Sequence, residues 1–350
     1  MIVKDEESVL ARCLDSVKDC VDEIVIADTG SADRTKEIAR RYTKHIYDFP
    51  WRDDFAAARN FALSKTSGDY WLWLDADDCL SPEHAEKLVA LKSVLETQSP
   101  DMVMCLYDTA FDEEGAPLTT FYRERIMKRS ADFCWVGRVH ECVAPRGKTV
   151  QADMHVFHLS SDKPRGARNL HIYQKWAAEE ALGSRDLFYY GRELFYNRLY
   201  TEAEAILRAM LRCDGWHVNQ IEACKILALC YAEQGKSEQA KQALLQSFLY
   251  GLPRAGVCCE LAKLFQRDNK LQEAAFWYEP ARPCRDHSAE GDFESPECRT
   301  YVPLVELTCC YYALGQTEKA LFFHKEAERL FPNRPAVQFN RTFFEKARLL

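Results

Sequence analysis

The sequence predicts an α/β domain over residues 1–165 and an all-α domain over residues 166–350. Two observations lead to this fold class. In the first half, short apolar segments alternate with amphipathic ones, which is typical of a mostly parallel sheet with helices on both faces. After "DKPRGARN" the remaining segments show the 3.6-residue period of helices. We therefore expect a sheet domain that carries a site and a helical domain that follows it.

Periodicity and capping residues predict the elements of the α/β domain in turn. Asp53 or Asp54 is expected to cap the Ala-rich helix in "DDFAAARNFAL", and Ser81 with Pro82 is expected to begin the helix after "YWLWLD". Only Met1 to Val3 remain for a first strand, so we expect the natural chain to begin several residues earlier. The predicted strands are "MIV", "EIVIAD", "KHIYDF", "YWLWLD", "DMVMCLY", "FYRERIMKR" and "VQADMHVFHLS".

The helical half contains a weak internal repeat with a period of about 34 residues, which is typical of tetratricopeptide-like helix pairs. An insert at about 282–299, rich in charge and Pro, explains the long last interval. Stacked repeats leave a concave groove, whose aromatic residues could hold an extended peptide or form a homodimer interface, and we expect a homodimer. The anchoring alanines are Ala203, Ala240, Ala274 and Ala320.

Composition excludes several classes of protein. The net charge of −8 argues against a general nucleic-acid binder, which needs a basic face. No segment approaches the roughly 18 apolar residues of a membrane span, and Lys4 to Glu7 interrupt any early signal-peptide pattern. The 15 cysteines include no CxxC motif or zinc-ligand spacing, which favours reduced core cysteines in a cytoplasmic protein.

Acidic residues follow three of the predicted strands. They are the "KDEE" segment, Asp28, and "DADD", which includes Asp75 and Asp77. Because ligands of open parallel sheets bind at the carboxyl ends of the strands, we expect these residues to meet in one crevice. Asp28 either caps a turn or contacts a nucleobase or ribose. Asp75 and Asp77 either form a solvated turn or hold Mg²⁺ or Mn²⁺ together with a diphosphate.

Arg59 lies on an otherwise apolar part of its predicted helix. A buried arginine is costly unless it is paired. It therefore extends to solvent, pairs with a structural aspartate, reaches a bound donor, or orients the metal-binding carboxylates.

Four motifs occur in the same order as in glycosyltransferase family 2, in the branch that carries tetratricopeptide-like repeats and includes bacteriocin S-glycosyltransferases. They are "MIVKDEE", "IVIADTGSADRTKEIA", "DDFAAARNFAL" and "WLWLDADD", and "GRVHE" followed by "HVFHLSSDKPRGARNL" is similar as well. The resemblance covers roughly residues 1–175. It implies a GT-A fold, inverting transfer from a nucleotide-diphosphate sugar, and donor contacts near Asp5 and Glu6, and we expect the nucleotide to be UDP. It also implies that Asp28 contacts the base and that Asp75 and Asp77 serve the diphosphate and metal.

A carboxylate must accept the acceptor's proton in such a transfer. Glu141 is our candidate base, with Asp78 as the second candidate, and His140 and Trp135 are expected to contact the donor sugar. The structural alternative makes Glu141 part of a salt bridge and Trp135 part of the core.

Two histidines and two arginines later in the domain complete the candidates. His158 is expected to be a further metal ligand rather than His155, unless both are structural. Arg165 and Arg168 are expected either to contact phosphates or to solvate a helix start.

Three functions compete. The first is a metal-dependent glycosyltransferase whose acceptor is a peptide side chain (Cys or Ser/Thr), a saccharide or a lipid, with the repeat groove favouring a peptide. The second is a repeat-based peptide-binding scaffold with a degenerate, non-catalytic front domain. The third is a nucleotidyltransferase, which needs a Gly-rich basic loop after the first strand, where this chain has "KDEESV".

Overall fold

The computed structural model describes residues 1–111, 115, 117–159, 167–287 and 294–349. It contains two compact units, Met1–Ala181 and Leu182–Leu350. The predicted boundary at residue 165, the candidate Arg165 and the middle of the predicted insert (288–293) lie outside the described residues. An α/β unit followed by an all-helical unit confirms the predicted fold class.

Among the described residues, the strands of the first unit form two sheets. The strands are β1 (Ile2–Val3), β2 (Ile26–Asp28), β3 (Ile46–Asp48), β4 (Tyr70–Leu72), β5 (Asp78–Cys79), β6 (Met102–Phe111), β7 (Pro117–Lys128) and β8 (Thr149–His158). One sheet has the parallel order β1-β2-β3, and the other has the order β4-β7-β6-β8-β5.

The second sheet is mixed and mainly antiparallel, whereas the sequence pattern predicted a mostly parallel sheet. β6 runs parallel to β8, but β4 pairs antiparallel with β7, and β7 pairs antiparallel with β6. The difference has a physical cause: the direction of a strand is set by its distant partner, and a buried apolar run looks the same in either direction.

Two helices of the first unit begin where their capping residues predict. Asp54 Oδ1 accepts a hydrogen bond from Ala57 N at 2.8 Å, so Asp54 rather than Asp53 caps the Ala-rich helix. Ser81 Oγ accepts from His84 N at 3.4 Å, with Pro82 as the first helical residue. The helices are α1 (Leu10–Val17), α2 (Thr35–Ala39), α3 (Phe55–Ser64), α4 (Pro82–Gln98) and α5 (Arg168–Glu179).

The second unit is a stack of helix pairs. The pairs α6–α7, α8–α9, α10–α11 and α12–α13 pack internally, and each of the last three packs on the pair before it. The repeat anchors Ala203, Ala240, Ala274 and Ala320 are each completely buried in the second helix of a pair, which confirms their predicted packing role. The helices are α6 (Ser184–Tyr196), α7 (Tyr200–Met210), α8 (His217–Glu233), α9 (Ser237–Gln246), α10 (Ala255–Arg267), α11 (Leu271–Ala281), α12 (Tyr301–Ala313), α13 (Thr317–Leu330) and α14 (Pro335–Lys346).

None of the helices in the described ranges combines the length and the apolar character that crossing a bilayer requires.

Candidate active site

The loops after β1 and β2 are joined by hydrogen bonds. Asp5 Oδ1 accepts from Ala32 N at 2.7 Å, and Asp5 N donates to Ser31 Oγ at 3.0 Å. Glu6 N donates to Thr35 Oγ1 at 2.7 Å. The two loops therefore form one surface at the carboxyl ends of neighbouring parallel strands.

Asp28 closes a turn at the end of β2. Its side chain is buried and accepts hydrogen bonds from the backbone N–H groups of Gly30 and Ser31, both at 3.1 Å. Lys36 Nζ lies 3.4 Å from the same carboxylate. Gly30 has φ of +106°, a conformation that side-chain-bearing residues rarely adopt. The structure thus shows the turn-forming contacts of Asp28 that the sequence suggested as one of two roles.

Arg59 holds two carboxylates at once. Its Nη2 donates to Asp75 Oδ1 at 2.7 Å and its Nε donates to Glu141 Oε1 at 2.6 Å. The guanidinium carbon lies 5.0 Å from the ring centroid of Trp73 and 4.7 Å from that of Trp135. Since the side chains of Arg59 and Glu141 are each only 10% exposed, this is a largely buried ion triad.

The electrostatics keep Arg59 and Asp75 ionised. Burial alone would raise the pKa of Asp75, but Arg59 outweighs it, with help from Arg125 and Arg123, and brings the pKa to about 2. Burial likewise works against the Arg59 cation, yet Asp75 and Glu141 raise the pKa of Arg59 above its ordinary value. Asp75 is therefore a carboxylate at neutral pH.

Asp78 is a buried junction for four neighbours. Its Oδ2 accepts from Asp75 N and from Arg125 Nη1, both at 3.0 Å. Its Oδ1 accepts from Tyr107 Oη at 3.0 Å and lies 3.2 Å from His158 Nδ1. The side chains of Asp78 and Arg125 are both fully buried, so their ion pair is shielded from solvent.

Arg125 is a residue of this site that the sequence analysis missed. Its guanidinium lies between two aromatic rings, 3.9 Å from the centroid of Trp73 and 4.2 Å from that of Tyr107. A signal was present: Arg123 and Arg125 are two residues apart on a strand and therefore share a face. Two arginines on one face of a half-buried strand indicate an acidic partner.

Asp77, Asp78 and His158 form a group that could hold a metal ion. One ligand atom from each lies within 4.8 Å of the others, and Asp77 Oδ1 is 3.6 Å from His158 Nδ1. Burial raises the pKa of Asp77, and Asp75 and Asp78 raise it further, while His158 opposes them. The side chains of Asp77 and His158 are 22% and 23% exposed, and their oxygen and nitrogen donors suit a divalent cation. The predicted ligand Asp75 is bound to Arg59 and lies outside this group.

Helix α3 also fixes the loop that carries Glu141. The side chain of Asn60 makes two hydrogen bonds with the backbone of Trp135: Nδ2 donates to Trp135 O at 3.0 Å, and Oδ1 accepts from Trp135 N at 2.9 Å. Val136 and Cys142 close the loop with a pair of backbone hydrogen bonds. Trp135 is buried in the core and Glu141 is ion-paired, which are the contacts of the structural alternative for these two residues.

The remaining predicted residues have partners of their own. His140 has φ of +52° and stacks on Tyr173, with ring centroids 6.3 Å apart. His155 Nδ1 lies 2.7 Å from Asp108 Oδ2. Arg168 begins α5 and lies over a phenylalanine ring of α3. The structure therefore joins Arg59, Asp75, Asp78, Glu141 and His158 through direct contacts, and places Asp77 beside them.

Residues 1–144 match the family described as Glycosyl transferase family 2. This range contains all of the site except His158.

Curated relatives match over a longer range. A TPR repeat-containing protein of Synechococcus elongatus is 29% identical over 80% of this chain and 64% of its own length. The SPbeta prophage-derived glycosyltransferase SunS of Bacillus subtilis is 27% identical over 55% of this chain and 48% of its own length. An uncharacterized glycosyltransferase of Rickettsia typhi is 34% identical over 25% of this chain and 30% of its own length. This chain thus spans between about a third and two thirds of these relatives.

The family match supports glycosyltransferase activity, and the helix pairs agree with the repeat-containing relative. Residues 1–144 therefore form a domain that matches glycosyltransferase family 2, and the chain continues into helix pairs of the tetratricopeptide type.

Proposed function

We propose that this chain is a metal-dependent, inverting hexosyltransferase that uses a nucleotide-diphosphate sugar, with UDP as the nucleotide. The observation that carries the proposal is the grouping of Asp77 and His158 beside Asp75 and Glu141, which Arg59 joins. Acidic oxygens and an imidazole in one largely buried but solvent-accessible cluster suit a cation that also contacts a diphosphate. The family match supports the transfer of a sugar as the reaction.

Asp77 and His158 are the proposed ligands of Mg²⁺ or Mn²⁺. A cation bound there would neutralise charge on the departing diphosphate. His158 Nδ1 lies 3.2 Å from Asp78 Oδ1, and we propose the tautomer in which Nδ1 donates to Asp78 and Nε2 keeps the free electron pair for a ligand bond. Asp78 was also a candidate base, but Arg125, Tyr107 and a backbone N–H already use both of its oxygens. We therefore assign Asp78 the role of positioning His158 and the Asp75 backbone.

Glu141 is the proposed general base. Arg59 donates to its Oε1, so Oε2 is the oxygen that would take the acceptor's proton. The acceptor atom attacks the anomeric carbon as the bond to the diphosphate breaks on the opposite face, and the proton passes to Glu141. Arg59 keeps Glu141 at a fixed distance from Asp75, and Asp75 faces the diphosphate end of the donor.

The nucleotide end of the donor is proposed to lie over the joined loops that carry Asp5, Glu6 and Asp28. Asp28 is rigidly held by its turn, which suits recognition of a base edge or ribose hydroxyl. His140, beside Glu141, is proposed to contact the donor sugar. We propose a peptide side chain as acceptor, bound along the groove of the repeats, in a homodimer.

Nucleotide binding tests this proposal directly. Thermal unfolding is measured with UDP or GDP, each with and without Mn²⁺. We expect UDP to raise the melting temperature only with Mn²⁺, and Asp77→Ala to abolish that shift. Asp69→Ala is the matched control, since Asp69 is an exposed aspartate just before β4. No shift with either nucleotide would instead favour the scaffold function.

Transfer is then tested by hydrolysis of a panel of donors, followed by mass shifts of candidate acceptors. Glu141→Gln is expected to keep the nucleotide shift, because glutamine preserves the shape of the side chain, and to lose transfer. Transfer that persists in Glu141→Gln would contradict its role as the base.

A further inference from the structure

Four of the chain's 15 cysteines lie together around α10. Cys258 and Cys259 are adjacent on this helix and fully buried in the apolar core of the second unit. Cys284 follows the end of α11, and Cys298 ends the short 3₁₀ turn Pro296–Cys298 before α12. Both are half-buried and pack against the same core. The buried thiols of Cys258 and Cys259 thus lie in the same core as the thiols of Cys284 and Cys298, which solvent can reach.

The four thiols associate in two separate pairs. The Cys284 thiol donates at 3.3 Å to Pro253 O, just before the helix turn that carries Cys258, and the Cys259 thiol donates at 3.3 Å to the backbone oxygen of Cys298. Neighbouring residues of a helix point about 100° apart, so adjacent cysteines on α10 each face a different partner. The pairs join α10 to both ends of the predicted insert.

We propose that these residues form a dithiol–disulfide site, in which a small-molecule disulfide such as oxidised glutathione converts the pairs Cys258–Cys284 and Cys259–Cys298 into two disulfide bonds.

Each bond would form by two exchange steps. The thiolate of Cys284 attacks the small disulfide, which gives a mixed disulfide and releases one small thiolate. The thiol of Cys258 then loses its proton and attacks the Cys284 sulfur, which closes the protein disulfide and releases the second small thiolate. Two protein thiols are oxidised and one small disulfide is reduced to two thiols. Cys298 and Cys259 react in the same way.

The environment favours this order of attack. The neighbouring thiol of Cys258 lowers the pKa of Cys284, and that of Cys259 lowers the pKa of Cys298. The half-buried cysteines therefore carry more thiolate, and they are also the ones that a small disulfide can reach. The partners on α10 have pKa values raised by the thiols of Cys284 and Cys298 and by burial, which suits the resolving step inside the protein.

Two simpler explanations for the four clustered cysteines, apolar packing and a metal site, account for fewer of these observations. Buried cysteines are common as small apolar residues, but packing alone does not require a cysteine opposite each member of an adjacent pair. A shared metal ion would need three or more ligand atoms close together, and in the described ranges such a group occurs at Asp77, Asp78 and His158, not at these sulfurs.

Mass spectrometry of the intact chain tests the proposal. After incubation with oxidised glutathione and removal of excess reagent, we expect a loss of about 4 Da, one hydrogen from each of the four thiols, once the mass of any glutathione adducts on the exposed Cys134, Cys213 and Cys309 is subtracted. Cys258 and Cys259 fall in one tryptic peptide, so variants assign the pairing. Cys284→Ser should lose about 2 Da and keep only the Cys259–Cys298 link, and Cys298→Ser should keep only Cys258–Cys284.

Controls distinguish this site from general oxidation. Cys309→Ser changes another adjacent pair, at an exposed position, and should retain both links. The oxidised protein should unfold at a higher temperature than the reduced one, because each link constrains the unfolded chain. If the four thiols stay reduced, if a Cys258–Cys259 or Cys284–Cys298 bond forms, or if stable glutathione adducts remain at Cys284 or Cys298, the proposal is overturned. The Ser variants change half-buried positions and leave α10 intact, so loss of folding is not expected to obscure the result.

Discussion

Replacing Arg59 by methionine should destabilise the first unit by about 4 kcal/mol at pH 7, close to the 3–5 kcal/mol typical of breaking a buried ion pair. Burial raises the pKa of Asp75, but Arg59, with smaller help from Arg125 and Arg123, lowers it by more, and the net change is from 3.8 to about 2. That pKa shift corresponds to about 2.5 kcal/mol of unfolding free energy. We count roughly half of it, because the Asp75 side chain is 33% exposed and solvent screens its charge. Glu141 is only 10% exposed, and its charged hydrogen bond adds about 2–3 kcal/mol.

The loss of unfolding free energy caused by Arg59→Met should become smaller as the pH falls. In the wild type the pKa of Asp75 is depressed in the folded state, so its contribution is present above pH 3.8 and disappears as pH falls toward 2. In Arg59→Met, burial dominates and raises the pKa of Asp75 above 3.8. Protonation then relieves the buried charge, so the difference in unfolding free energy between wild type and variant should shrink from pH 7 toward pH 4.

Urea unfolding in buffer with EDTA, followed by tryptophan fluorescence, measures this difference, because Trp73 and Trp135 contact Arg59. The matched control is Arg52→Met, since Arg52 is exposed and an exposed substitution changes stability by about 0.5 kcal/mol or less. A loss below about 1 kcal/mol for Arg59→Met, or a loss that does not change with pH, would refute the electrostatic account of the triad.

Three further substitutions test other parts of the fold by thermal or urea unfolding. Arg125→Met should cost about 3–5 kcal/mol, because it leaves Asp78 buried without its cation, and a cost near zero would contradict the junction described for Asp78. Asp54→Ala should cost about 1 kcal/mol through loss of the cap of α3, whereas Asp54→Asn should be nearly neutral. Gly191→Ala should cost about 1–3 kcal/mol, because the added Cβ would lie 2.5 Å from Leu207 Cδ2; unchanged stability would mean that α6 and α7 separate easily.

Local chemistry predicted much of the fold. Ser81 and Pro82 begin α4 as expected, because capping depends on neighbours within one helical turn. Val9, Leu10 and Val17 are buried on one face of the first helical segment, because a 3.6-residue period specifies a face without knowledge of its partner.

The partners themselves were not predictable in the same way. The sequence identified Arg59 as a buried arginine in need of a partner, but Glu141 is 82 positions away, and nothing in either segment specifies the other. Asp78 looked like a catalytic residue because it follows Asp75 and Asp77. The structure shows that Tyr107 and Arg125, which lie on two strands distant in sequence, donate hydrogen bonds to Oδ1 and Oδ2 of Asp78. Antiparallel pairing of β4 escaped prediction for the same reason.

Arg59 and Asn60 are consecutive residues of α3, and together they fix the position of the loop that carries Glu141. One side chain holds the Glu141 carboxylate and the next holds the loop backbone at Trp135. The deletion of one residue earlier in α3 would turn both side chains by about 100° around the helix axis and release the loop at both points together. The distance between the carboxylates of Asp75 and Glu141 therefore depends on the rotation of α3 about its axis at Arg59. We expect α3 to tolerate substitutions on its outer face far better than insertions or deletions.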